Sequence, residues 1–132
     1  MTREELIQFQ RRELEKIVEI SQRKNRDYCG VDATDPFRNF KMTEQMGIAS
    51  TEMGILTRMG DKMIRITNLL RTGEAAVLDE KIEDTLRDLA AYSLLLSAYI
   101  KSKELEGKHP AVTYNPETKD FTVLRGDGHV NS

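Results

Sequence analysis

The sequence contains few of the residues that build disulfide frameworks, zinc clusters or membrane spans. Its 132 residues include one cysteine, Cys29, no tryptophan and only 6% aromatic residues. A single cysteine excludes an intramolecular disulfide framework and a zinc site made of several cysteines. No apolar run reaches the roughly 18 residues that cross a bilayer, and the amino-terminal stretch MTREELIQFQRRELEK lacks the apolar centre of a secretion signal. We therefore expect a cytoplasmic chain with no membrane partner.

The chain also has little excess charge of either sign. Its formal net charge is −2, although 32% of its residues are charged. A protein that binds long nucleic acid normally carries a basic surplus, so we do not expect such a partner. A small anionic ligand remains compatible with the composition, because charges of the two signs are separated along the chain.

Hydrophobic periodicity predicts a mostly α fold with three main helices, over residues 3–27, 50–71 and 79–103. The second and third helices are joined by a short connection, which predicts an antiparallel αα-hairpin as the core. The segment between residues 27 and 40 is rich in turn-forming residues, and a loop of this length is often functional. A short helical turn is predicted from Thr43 to Met46.

Residues at the ends of these helices fit known capping patterns. Thr2 and Glu5 have the spacing of a capping box, and Ser50 or Thr51 can cap the second helix. Gly73 lies where a left-handed residue ends a helix. Asp79 is the expected cap of the third helix.

The carboxyl-terminal part of the chain differs from the rest. AVTY and FTVL flank the turn-rich segment NPETKD, which predicts a small β-hairpin with a six-residue loop. The predicted organisation is therefore a helical domain over residues 1–106, followed by a hairpin and tail over residues 107–132 that pack on it, since an isolated hairpin is marginally stable.

Several features predict a homo-oligomer. The segment LAAYSLLLSAYI of the third helix is apolar on nearly all sides, which indicates burial on more than one face. Ile64 lies opposite the apolar arc of the second helix. Gly54 and Gly60 fall inside that helix, where each glycine costs about 1 kcal/mol relative to alanine. Either another helix or a ligand approaches the backbone closely there, or the helix tolerates a local weakness.

The most informative pattern pairs two charged helical faces. The second helix carries three cations on one side, Arg58, Lys62 and Arg65, with Asp61 beside them. The third helix carries three carboxylates on one side, Glu80, Asp84 and Asp88, with Tyr92 close to the same line. One interpretation is a structural network of ion pairs. The other is a site where the carboxylates bind Mg²⁺ and catalyse, while the cations bind phosphate oxygens of a substrate that shares the metal.

The segments KNRDY (24–28), DPFRNF (35–40), RMGDKMIRITNLL (58–70) and LDEKIEDTLRDLAAYSLLL (78–96), in this order and spacing, resemble the nucleotide modification associated domain 1 family of phages and bacteria. The resemblance covers about residues 24–96 and implies a role in phage or bacterial nucleotide metabolism. It draws attention to these positions: Asn25, Asp27, Tyr28, Asp61, Lys62, Arg65, Asp79, Glu80, Asp84, Asp88 and Tyr92.

The third helix is also similar to the all-α nucleoside triphosphate pyrophosphohydrolases of the MazG type. Those enzymes bind Mg²⁺ between an E-E-x-x-E element on one helix and an E-x-x-D element on the next. Glu80 or Glu83, with Asp84 and Asp88, could supply the second element. The first element is missing, because Glu52 and Asp61 point to opposite sides of the second helix. This departure favours holding a phosphorylated ligand over loading several metal ions.

The DPFRNF loop adds a further candidate for ligand contact. Phe37 could stack on a base while Asn39 contacts the base edge, although one or both of Phe37 and Phe40 could instead anchor the loop in the core. The sequence thus leaves three hypotheses open: a Mg²⁺-dependent nucleotide pyrophosphohydrolase-like enzyme, a non-catalytic binder that sequesters nucleotides or nucleotide-derived signals, and an interaction protein whose charges form only a network.

Overall fold

The computed structural model describes residues 1–30, 34–73, 81–107, 112–124 and 130–131. This part of the chain is mostly helical, as predicted. Its helices are α1 (Arg3–Cys29), α2 (Met42–Gln45), α3 (Thr51–Thr72) and α4 (Ile82–Leu105). Within the described ranges, no helix has the combination of length and apolar character that crossing a membrane requires.

The predicted helix caps are confirmed where the structure describes them. The Thr2 hydroxyl accepts a hydrogen bond from the backbone of Glu5, whose carboxylate accepts one in return from the backbone of Thr2. The Ser50 hydroxyl accepts from the Met53 backbone at 3.2 Å, and Gly73 has a φ of 69°. The expected cap Asp79 lies outside the described residues. Each confirmed cap satisfies helix-end groups within a few residues.

The first helix is longer than predicted. It continues to Cys29 and ends at Gly30, whose φ of 92° is strained for other residue types. The turn-forming residues that follow Asp27 therefore end the helix about half a turn later than predicted. As a consequence Tyr28 and Cys29 lie on α1 and not in the loop.

The chain forms two compact units, Met1–Leu96 and Ser97–Ser132. In the first unit α3 runs antiparallel to α4, as two contacts show. Lys62 of α3 pairs with Asp88 of α4. Arg58, one turn before Lys62, lines the same cavity as Tyr92, which is one turn after Asp88. The short α2 contacts α3 at Gly54. A Cβ at Gly54 would lie 2.8 Å from the Thr43 hydroxyl oxygen, so this glycine allows the close approach of another helix, which was one of the two interpretations of its position.

Few large apolar side chains in the described part of the first unit are buried. Ile55 is fully buried on the inner side of α3, one turn after Thr51, whose buried hydroxyl donates to the Glu44 carboxylate at 2.8 Å. Ile17 of α1 is also buried. By contrast, many apolar residues of α1 and α3 are exposed, including Ile64 at 64%. These helices therefore present apolar surface that the described part of the chain does not cover.

The second unit contains the end of α4 and three short strands, β1 (Val112–Asn115), β2 (Asp120–Leu124) and β3 (Val130–Asn131). They pair antiparallel in the order β1-β2-β3. Asn115 pairs with Asp120, which leaves a four-residue turn where the sequence predicted a six-residue loop. The Asn115 side chain accepts a hydrogen bond from the Glu117 backbone at 2.9 Å, an Asx turn that tightens the connection.

A charged cluster joins α1 to α4. Both carboxylate oxygens of Glu13 accept hydrogen bonds from the guanidinium of Arg87, which also donates to Asp84 at 2.8 Å. The side chains of Glu13 and Arg87 are 17% and 22% exposed. Hydrogen bonds from Arg87, and secondarily from Lys16, lower the pKa of Glu13 to about 2. The same contact raises the pKa of Arg87.

This cluster predicts a specific loss of stability in acid. A carboxyl group whose pKa is depressed by folding stabilises the fold above its unfolded pKa and loses that contribution as the pH falls. For Glu13 the loss should occur between pH 4.5 and about 2. We expect the urea midpoint of the native chain to fall through this window more steeply than that of Glu13→Gln. Parallel curves for the two proteins would show that the contact contributes nothing to acid sensitivity.

Candidate functional site

A cavity opens in the first unit where α1, α4, the start of α3 and the loop before α2 converge. Its volume is about 130 Å³. We call it the Tyr92 cavity, and define it by its lining residues: Ser21, Lys24, Asn25, Tyr28, Asn39, Phe40, Arg58, Asp88, Ala91, Tyr92 and Leu95. It continues into an open depression of about 430 Å³, which shares four of these residues and adds Asp61 and Lys62. The lining therefore combines aromatic rings, amides and charges.

The aromatic side of the cavity is ordered by contacts among three side chains. The rings of Phe40 and Tyr92 meet edge to face, with their centroids 6.4 Å apart. The Arg58 guanidinium lies over the Phe40 ring at 4.9 Å from its centroid. Such a cation–π contact fixes the plane of the guanidinium while leaving its edge available for hydrogen bonds. Arg58 is itself solvent-exposed, so a ligand can reach it.

The charged side of the cavity is built around Asp88 of α4. Its two carboxylate oxygens face different lysines, Lys24 of α1 at 3.3 Å and Lys62 of α3 at 3.2 Å. The side chains of Asp88 and Lys62 are 23% and 26% exposed, whereas Lys24 is more open at 54%. One carboxylate thus pairs with two cations from two helices at the cavity edge. The two lysines together carry one more charge than Asp88 neutralises.

Hydrogen bonds attach to α1 the loop that carries Asn39 and Phe40. The Asn25 amide donates to the backbone carbonyl of Pro36 at 2.7 Å. The buried thiol of Cys29 lies 3.4 Å from the Asn39 side-chain oxygen and 3.7 Å from the same Pro36 carbonyl. Asn25 and Cys29 occupy one side of the last turns of α1 because they are four residues apart. The loop is therefore held in place by polar contacts and not only by its aromatic residues.

A second set of contacts shapes the loop from within. Asp35 accepts hydrogen bonds from the Lys41 ammonium at 2.7 Å and from the Phe37 backbone at 3.0 Å. The hydrogen bond from Lys41 holds the pKa of Asp35 below its usual value, with a smaller contribution from the Phe37 backbone. This arrangement closes the turn that presents Phe40 toward α4.

Most of the residues that the sequence singled out for ligand binding come together here. Those that line the Tyr92 cavity or the adjoining depression are Asn25, Tyr28, Asn39, Arg58, Asp61, Lys62 and Tyr92, together with Asp88, for which a metal-binding and catalytic role was predicted. They come from α1, the loop, α3 and α4. The tertiary structure therefore gathers residues from four separate segments.

The remaining predicted site residues lie elsewhere. Asp27 is exposed on α1, and neither it nor Arg65 lines the cavity or the depression. Phe40 lines the cavity in place of Phe37, because the turn that Asp35 closes brings Phe40 against Tyr92. Asp84 pairs with Arg87 in the cluster that joins α1 to α4. Glu80 lies outside the described residues.

Of the predicted magnesium ligands, Asp84 and Asp88 pair with cations in the structure and Glu80 lies outside the described residues, so the magnesium site stays a prediction. Among the described residues, no three His, Cys, Asp or Glu side chains are grouped so that they could hold one ion. Asp84 and Asp88 lie one turn apart on α4, yet the first faces Arg87 and the second faces two lysines. Both carboxylates are thus paired with cations.

Sequence reasoning missed Lys24 as a site residue and favoured Phe37 over Phe40. Lys24 lies within the segment KNRDY, but on a charged helix a single lysine is indistinguishable from a solvated one. Phe37 and Phe40 are three residues apart in a turn, where small changes in backbone angles decide which ring faces the helices. In both cases only long-range contacts reveal the role.

Comparison with known proteins found no match to a family model, to a curated protein or to a solved structure.

Proposed function

We propose that this protein binds a nucleotide, or a closely related phosphorylated aromatic compound, at the Tyr92 cavity. The observation that carries the proposal is the meeting of two kinds of group in one site. Phe40, Tyr92 and Tyr28 offer faces and edges for a planar ring, while Arg58, Lys24 and Lys62 offer donors for anionic oxygens. A molecule that has a planar ring at one end and a phosphate at the other satisfies both.

The charge of the site supports an anionic ligand. Its cations are Lys24, Arg58 and Lys62, and its anions are Asp61 and Asp88, which gives three positive charges against two negative ones. Arg58 is the cation best suited to phosphate, because its planar guanidinium donates two parallel hydrogen bonds. The lysines act as less directional point charges. A phosphate placed beside Arg58 would therefore bring the local charge toward neutrality.

The size of the site supports a ligand that is only partly enclosed. Pockets that bury a drug-sized molecule are typically 300–1,000 Å³, and the Tyr92 cavity is smaller, at about 130 Å³. It can enclose one ring or a similar fragment, while the rest of the molecule lies in the adjoining depression beside Lys62. Asn39 lines both spaces, so its amide is placed to contact the edge of a ring held between them.

The arrangement of carboxylates favours binding over metal-dependent hydrolysis. Hydrolysis of the pyrophosphohydrolase kind requires several carboxylates that share Mg²⁺. In the described residues Asp88 is held between two lysines and Asp84 is held by Arg87. These ion pairs favour binding without a metal-dependent step, and the proposed class of ligand is the one that the resemblance to nucleotide-processing families implies.

The proposal is tested by measuring binding calorimetrically with nucleoside mono-, di- and triphosphates, in the presence of EDTA and separately with Mg²⁺. At least one nucleotide should bind in EDTA, whereas its nucleoside and inorganic phosphate should each bind far more weakly. At a ligand concentration 100 times the dissociation constant, the chain should gain about 2.7 kcal/mol of stability. The same samples should be assayed for release of phosphate or pyrophosphate.

Asp88→Asn separates the two nucleotide hypotheses. If Asp88 is a counter-charge, the variant should still bind the nucleotide with or without Mg²⁺. Mg²⁺-dependent release of pyrophosphate that this variant abolishes would contradict the proposal and support the hydrolase instead. Failure of every nucleotide to bind would leave only the hypothesis of an interaction protein.

A further inference from the structure

The outer side of α3 carries an uncharged stripe that runs nearly the full length of the helix. Its members repeat at alternating intervals of three and four residues: Met53, Leu56, Gly60, Met63, Thr67 and Leu70. All six are exposed, and at 100° per residue they lie about 60° to 160° around the helix from the buried Ile55. A 3-4 repeat places side chains in a seam along one face, which is the pattern by which helices pack in pairs. The seam is about 26 Å long.

The middle of the stripe is shaped for close contact. A Cβ at Gly60 would meet no atom within 4 Å, so nothing in the described part of the chain accounts for a glycine in the interior of this helix. The Thr67 hydroxyl donates to the Met63 carbonyl of its own helix at 2.9 Å, which leaves the methyl group outward. Small residues at Gly60 and Thr67 therefore alternate with the large side chains of the stripe.

We infer that α3 packs antiparallel against α3 of a second copy of this chain, through the stripe. In that arrangement each residue faces the partner's residue that lies equally far from the helix centre on the other side. Gly60 then faces Met63, Leu56 faces Thr67, and Met53 faces Leu70, so that small residues receive large ones. A parallel pair would instead place Gly60 on Gly60 and Met63 on Met63, leaving gaps beside crowded positions.

Charge at the two ends of the helix agrees with the antiparallel orientation. Glu52 lies in the first turn of α3 and Arg71 in the last. An antiparallel pair brings the carboxylate of one copy and the guanidinium of the other to the same end, and it also opposes the helix dipoles favourably. A two-fold pair uses one surface on both copies, as a self-complementary interface requires.

The exposure of the stripe also agrees with a second copy as the occupant. Its large apolar members Met53, Leu56, Met63 and Leu70 are each 44% to 72% exposed, and burying apolar side chains of this size stabilises an association. The stripe is separate from the Tyr92 cavity, so the inference does not depend on the proposed function.

Two matched leucines test the surface. Leu56 in the stripe and Leu6 on α1 are both 44% exposed. By sedimentation over a range of concentrations, we expect the native chain and Leu6→Lys to form dimers and Leu56→Lys to be monomeric, with dimerisation weakened on the order of a hundredfold or more. A native chain that is monomeric throughout would overturn the inference. So would a Leu56→Lys variant that dimerises as well as the native chain, or equal loss in both variants.

A second variant keeps the test valid if Leu56→Lys folds poorly. Gly60→Leu meets open space within its own chain and improves helix propensity by about 1 kcal/mol, yet it blocks the close contact with Met63 of a partner. It should remain helical by circular dichroism and be monomeric. A dimeric Gly60→Leu variant would overturn the inference.

Orientation is tested by mixing two tagged chains, one with Leu56→Cys and the other with Thr67→Cys. An antiparallel pair should crosslink the two different chains upon oxidation, and the native chain, whose Cys29 is buried, should not crosslink. Crosslinking of Leu56→Cys only to itself would indicate a parallel pair and overturn the proposed packing.

Discussion

Replacing Arg58 by alanine should weaken nucleotide binding by roughly 10- to 150-fold, because a hydrogen bond from a charged donor contributes about 1.5–3 kcal/mol. Arg58 lies over Phe40 at 4.9 Å and lines both the Tyr92 cavity and the adjoining depression. Among the described residues Arg58 is the only arginine that lines either space, and the substitution also removes the cation that lies over the Phe40 ring. The affinity should be measured by calorimetry in EDTA, with the nucleotide that binds best to the native chain.

Two further variants define what Arg58 contributes. Arg58→Lys keeps the charge but loses the planar, bidentate donor, so its affinity should fall between those of the native chain and Arg58→Ala. Arg38→Ala serves as the control, since Arg38 is an exposed arginine of the neighbouring loop that does not line the cavity. Equal affinities for Arg58→Ala and the native chain would place the phosphate elsewhere, and equal losses in Arg58→Ala and Arg38→Ala would indicate only a general effect of net charge.

Replacing Ile55 by alanine should destabilise the protein by roughly 2–5 kcal/mol, the range measured for fully buried isoleucine or leucine. Ile55 is 0% exposed, and its neighbour one turn earlier, Thr51, is equally buried. Because so few of the described large apolar side chains of this unit are buried, the loss of one removes a substantial part of its core. The free energy of unfolding should be measured in urea at a fixed protein concentration, since association makes it concentration-dependent.

Ile7→Ala is the matched control for Ile55→Ala. Ile7 is 43% exposed on α1, so its truncation should cost well under about 1 kcal/mol. A similar cost at the two positions would show that Ile55 is not part of a packed core. The folded fraction of Ile55→Ala should still bind the nucleotide, because Ile55 does not line the Tyr92 cavity.

Local features of the fold were predictable because their causes lie within a few residues. The capping box of Thr2 and Glu5, the Ser50 cap and the left-handed Gly73 each depend on hydrogen bonds or backbone angles inside one turn. The unusual Gly54 was noticed from sequence, but its reason, the approach of Thr43, required the tertiary structure. The predicted end of α1 at Asp27 was two residues too early. The helix continues to Cys29 and ends at Gly30, which has a positive φ.

The helix faces that carry the candidate site residues were predictable from the sequence, but the partners of those residues were not. Helical spacing correctly placed Lys62 and Arg58 on one side of α3, and Asp88 and Tyr92 near one line on α4. The same spacing also grouped Asp84 with Asp88, although contacts from other helices separate their roles. Arg87 engages Asp84 together with Glu13, which lies 74 residues earlier in the chain, and no periodic pattern reports such a partner.

The sequence by itself determined the helical class, most helix ends and the residue types available for binding, because these follow from local hydrogen bonding and from the periodicity of apolar residues. Only the tertiary structure decided that Asp88 faces two lysines, that Phe40 and not Phe37 meets Tyr92, and that the described residues leave one side of α3 uncovered. Each of these depends on which side chains from distant segments occupy the same space, and that is fixed by packing between helices and not by any one helix.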